Sequence, residues 1–192
     1  MKSKRAQMQA RRRRNALITR LGLGAAALVA IALIASSFLR EPAPELGEDV
    51  PIMPDTTHVA EDTDPGPYNS DPPTSGKHYE ATLNAGFYND GDVSADYPEG
   101  HLVHNLEHGY VIFWYNCSLL DEAGCTELKG QIQEVMADEN NFKVIAFPWP
   151  SIDVPVVMTS WGRILRMESF DPQVAQNFVQ NRRNKAPEPN AP

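Results

Sequence analysis

The chain has five histidines, all between His58 and His108, and three of them fall within eight residues, His101-Leu-Val-His-Asn-Leu-Glu-His108. On a helix at about 100° per residue, His101, His104 and His108 lie within about 60° of one another, with Leu102, Val103 and Leu106 on the opposite side. Neutral imidazole is the commonest protein ligand for zinc and copper, and an i, i+4 pair aims two rings at one ion. Residues 104–108 also spell H-x-x-E-H, the inverted zinc-protease pattern, in which both histidines hold zinc and Glu107 would be the general base on the bound water. Pro98, Gly100 and Gly109 leave room for only a short helix here. Three functions fit these residues: a site for copper or zinc, a zinc-dependent hydrolase using Glu107, and a metal-free interaction module whose histidines brace a loop. Upstream, Pro72-Pro-Thr-Ser-Gly-Lys-His-Tyr79 is a rigid turn: two prolines fix φ, Gly76 permits a bend, and His78 is delivered at its end.

The elements that must carry these residues begin beyond a basic start. Residues 1–20 hold eight basic side chains and no acidic one, and residues 21–39 are uncharged and mostly apolar. Nineteen helical residues span roughly 28 Å, close to the hydrocarbon thickness of a bilayer. The expected organisation is therefore a basic cytoplasmic tail (1–20), a single transmembrane helix (21–39) and a linker rich in Pro, Glu and Asp (40–56). A domain at 57–184 and a mobile Pro-rich tail at 185–192 complete it. The positive-inside rule places the N-terminus in the cytoplasm and the domain outside it, and a cleaved signal peptide would export the same domain. Of 17 basic residues only nine follow residue 20, against all 25 acidic ones, so this part carries about −16. Such a charge excludes nucleic acid as a partner held by general electrostatics. The sequence implies a membrane association and names no protein partner. Cys117 and Cys125 are the only cysteines, and outside the cytoplasm they are expected to close a short disulfide loop.

Residues 58–100 are dominated by Pro, Gly, Asp, Asn, Ser and Tyr, which makes them a long ordered loop rather than regular elements. Tyr110-Val-Ile-Phe-Trp-Tyr115 and Phe142-Lys-Val-Ile-Ala-Phe147 read as strands, as do 154–160 and 163–167, which turn at Trp161-Gly162. A helix over 121–138 buries Leu128, Ile132, Val135 and Met136, and another runs from Asp171 to about residue 183 with Phe178 and Val179 inward. The fold expected is α+β: one small sheet of about four strands, two packing helices and a long Pro/Gly-rich loop, preceded by the transmembrane helix.

Two of these motifs, Pro72-Pro-Thr-Ser-Gly-Lys-His-Tyr79 and Leu102-Val-His-Asn-Leu-Glu-His-Gly109, resemble the bacterial family called domain of unknown function 3105. Thr159-Ser-Trp-Gly-Arg163 and Arg182-Arg-Asn-Lys-Ala-Pro-Glu188 fit its C-terminal half, so the resemblance covers roughly residues 57–188. It implies a bacterial cell-membrane protein with one span and this domain outside. It also implies that the positions that matter are His58, His78, His104, Glu107 and His108, and not His101. Four imidazoles, from His58, His78, His104 and His108, would then form a tetrahedral or tetragonal site for a copper or zinc ion.

Overall fold

The apolar run in the middle of the chain becomes the centre of a sheet. A computed structural model describes residues 45–191. In it Val111–Tyr115 (β5) is buried at every position, because both of its faces are covered. Parallel to β5 on one side lies Val144–Pro148 (β6); antiparallel to it on the other lies Val156–Ser160 (β7), which pairs in turn with Arg163–Met167 (β8). A parallel pair needs a long connection, and Glu122–Asp138 (α2) supplies it between β5 and β6. Asp121 caps α2 by accepting from the Gly124 N–H, and Asp171 caps Pro172–Arg182 (α3) by accepting from the Gln173 and Val174 N–H groups.

The alternation along the strands divides the core in two. Val111, Phe113, Tyr115, Val144, Ala146, Val156 and Met158 face α2 and α3, where Ile132, Met136 and Phe178 are fully buried. Ile112, Trp114, Ile145, Phe147 and Val157 face the other way, onto Glu99–Glu107 (α1) through Leu102, Val103 and Leu106. The helix that carries the H-x-x-E-H segment is therefore anchored by its apolar side to the middle of the sheet.

The expected architecture needs correction in two respects. Glu48–Asp49 (β1) and Gly86–Phe87 (β4) add to the edges of the sheet, which therefore has six strands rather than four, in the order β1-β8-β7-β5-β6-β4. His58–Val59 (β2) and His78–Tyr79 (β3) form a separate parallel pair, and α1 makes a third helix. Each added strand has two residues, too few for any periodic pattern. The single-pass anchor and the cell-membrane location are not supported either: no helix among the described residues is long and apolar enough to cross a membrane. The span expected at 21–39 lies outside the described residues.

Candidate metal centre

Three segments bring the side chains together. The register of the parallel pair sets His58 directly beside His78, and the His78 N–H donates to the Thr57 carbonyl (3.4 Å). The turn before β3 is docked at both sides: Ser75 Oγ accepts from the Met53 N–H, and the Thr74 carbonyl accepts from the Gly162 N–H. Gly76 stands at φ +133°, where a Cβ would come within 2.9 Å of the Tyr68 ring. Its carbonyl accepts from His78 Nδ1 at 2.9 Å.

The third segment is α1. Its first turn presses Gly100 against the face of Tyr79, so closely that a Cβ there would lie 2.5 Å from the ring. Asn105 fastens the helix to the loop, accepting from the Leu83 N–H and donating to the Leu83 carbonyl. Just past the helix end the chain turns at Gly109, whose φ of +85° and close approach to the Asn184 backbone leave no room for a side chain.

Together these segments converge His58, His78, His104 and Glu107, each offering one ligand atom, with all four atoms within 4.8 Å of one another. The ring centroids of His58, His78 and His104 are 4.7–5.0 Å apart in each pairing. His78 is fully buried, His104 is 6% exposed, and the Glu107 side chain is 12% exposed. His58 alone faces solvent, its side chain 44% exposed and its Nδ1 3.2 Å from Glu80 Oε2.

The tautomers follow from the partners. A carbonyl only accepts, so His78 Nδ1 carries the proton in the neutral ring and Nε2 presents a lone pair. That lone pair lies 3.0 Å from Glu107 Oε2, without the alignment of a hydrogen bond. Two acceptors this close repel unless a proton or a cation lies between them. His104 Nδ1 is likewise buried with no hydrogen-bond partner. Burial first, and then the neighbouring rings of His108, His78 and His58, push the His104 pKa down to about 4, so the ring is neutral at pH 7. The arrangement could hold a metal ion.

Not every expected residue joins the group. His108 sits at the C-terminal end of α1 with its ring 4.4 Å from that of His104 and its Nε2 3.5 Å from Glu188 Oε2, and it is not among the four converging donors. Glu107 takes the fourth place instead. That differs from the protease arrangement, in which both histidines of the motif are ligands and the glutamate stands apart as base. His101 turns away, with Nδ1 on the Ala81 carbonyl (2.7 Å) and its ring edge-on to Tyr79. The expected disulfide is present between Cys117 and Cys125, whose Cα atoms are 5.2 Å apart.

Sequence reasoning gave Glu80 and Glu188 no role at the site, and no spacing rule marks them. The end of the chain matters for the same reason. The Asn184 N–H donates to the Gly109 carbonyl and the Glu188 N–H to the Glu107 carbonyl. Lys143, buried beneath, donates from Nζ to the carbonyls of His108, Pro189 and Ala191 at 2.8–2.9 Å. Residues 184–191 thus form a strap across the C-terminal end of α1, where the sequence suggested a mobile tail.

No curated protein and no solved structure matches the chain. A family model does, described as "Protein of unknown function (DUF3105)", over residues 58–192, which takes in all four converging donors and the strap. The chain belongs to the DUF3105 family.

Proposed function

We propose that this protein binds a single transition-metal ion, zinc or copper, through His58, His78, His104 and Glu107. The observation that carries the reading is the convergence of two buried imidazole nitrogens without a hydrogen bond, His78 Nε2 and His104 Nδ1, beside the Glu107 carboxylate, whose Oε2 lies 3.0 Å from the first. A buried polar atom left without a partner costs about 1–3 kcal/mol, and an ion would satisfy both nitrogens at once. The outer partners support it as well. His78 and His58 each engage Nδ1, with a carbonyl and a carboxylate respectively, which is how metal-bound histidines are usually oriented.

Three imidazoles and a carboxylate suit zinc(II) or copper(II). Neither cysteine is available as a thiolate, since both are in the disulfide. Four protein donors fill a tetrahedral set, which favours holding the ion over activating water at an open position. Metal analysis by mass spectrometry tests the proposal, on protein purified without a histidine tag and reconstituted with each ion. About one equivalent is expected for the wild type and none for His78→Ala/His104→Ala. A reconstituted wild type that holds neither zinc nor copper would overturn it.

A further inference from the structure

The four donors are not equivalent. His78, His104 and Glu107 come from the docked turn and from a helix packed on the sheet; the two histidines are buried and the Glu107 side chain is only 12% exposed. His58 comes from a two-residue strand, half-exposed, and is the one donor of the group on the solvent side. Its strand pairs at only two residues, His58 with His78 and Val59 with Tyr79. Ahead of it, Asp55 holds the chain by accepting from the Thr57 N–H and hydroxyl and by pairing with Lys77 at 3.3 Å. These are exposed contacts, which resist displacement weakly. Glu80, 83% exposed, is placed to hold the ring while its Nδ1 carries a proton.

We infer that His58 is the exchange ligand of the site: the ion enters and leaves on its side, when an incoming imidazole-type donor displaces it. This rests on the metal-binding reading above and adds to it a division of labour. His78, His104 and Glu107 retain the ion with one coordination position open to solvent, and His58 closes that position. The displacing donor is a monodentate nitrogen ligand, either free or on the side chain of another protein. Glu80 is a positioning residue, setting how long His58 stays in place.

The test uses the full chain loaded with copper(II), comparing wild type, His58→Ala, Glu80→Gln and His78→Ala, with circular dichroism to verify folding. Stoichiometry, the nitrogen hyperfine pattern in electron paramagnetic resonance, and the rate of copper loss to a chelator are read for each. His58→Ala should keep about one equivalent, show one nitrogen fewer, and lose copper about ten- to a hundredfold faster. Free imidazole should restore its spectrum and should also accelerate loss from the wild type. Glu80→Gln should keep the wild-type spectrum and lose copper faster. The inference is overturned if His58→Ala matches the wild type in spectrum and rate. It is equally overturned if His58→Ala fails to bind, as His78→Ala is expected to fail. A wild type that binds no copper but holds zinc would move the same rate comparison to zinc, read by a chelating dye, with the same two outcomes deciding. A wild type that binds neither ion overturns the metal site itself.

Discussion

Acid should destabilise the metal-free domain through His104, and the size of the effect follows from its surroundings. In an unfolded chain a histidine titrates near 6.5. In the fold, burial and the rings of His108, His78 and His58 bring His104 down to about 4. Between those values the unfolded chain carries a proton that the folded chain rejects, so falling pH favours unfolding. The contribution is fully present above about pH 6.5, shrinks by about 1.4 kcal/mol per pH unit, and is gone once the pH falls past about 4. The whole window is worth about 3 kcal/mol, a large part of the ~5–15 kcal/mol that typically holds a domain together. Glu99 acts in the opposite sense, because burial raises its carboxyl pKa and the folded state holds that proton more tightly. A difference against a variant therefore isolates the histidine. Urea unfolding of wild type and His104→Gln, in chelator, should show the wild-type advantage falling by about 2–3 kcal/mol between pH 7 and 4.5. Curves that stay parallel over that range would refute the reasoning.

Three further perturbations have defined outcomes. Gly100→Ala should cost about 1–3 kcal/mol by calorimetry despite alanine's better helix propensity, because its Cβ would meet the Tyr79 ring at 2.5–2.8 Å. Metal affinity should fall with it, since Tyr79 adjoins His78. Lys143→Met should cost about 3 kcal/mol in urea unfolding, since three carbonyls lose a charged donor. In the same variant, proteolysis should reach residues 184–191 sooner. Removing the disulfide with Cys117→Ser/Cys125→Ser should lower stability by roughly 2–3 kcal/mol for so short a loop. The metal stoichiometry of that variant should not change, because neither cysteine belongs to the donor group.

The four long strands and the helices capped by Asp121 and Asp171 are legible because each carries a local signal: a β-branched run, an acidic cap, an apolar face. The edge strands carry none. Gly86–Phe87 is held by its pairing with β6 and by long-range ring contacts, with the Phe87 ring 5.4 Å from that of Tyr115 and the Tyr88 ring 5.9 Å from that of Phe147. The site was half legible. Helical spacing puts His101 on a face with His104 and His108, but it cannot know that the Ala81 carbonyl claims His101. Nor can it know that α1 stops at Glu107, which leaves His108 at the helix end facing Glu188. His58 and His78 are 20 residues apart in a stretch without periodicity, and only the motif resemblance, not the spacing, linked them to His104. Glu107 stands among the converging groups because the turn of α1 that presents His104 also presents the residue three positions on.

Lys143 has a consequence for the timing of biogenesis. Among the described residues no carboxylate pairs with its ammonium; three carbonyls satisfy it, two of which, on Pro189 and Ala191, are translated 46 and 48 residues after it. While that stretch is unmade, the nascent domain must leave the Lys143 ammonium hydrated, and the end of α1 without its clamp. The clamp on the helix end that bears His104 and Glu107 therefore closes only after Pro189 and Ala191 have been made.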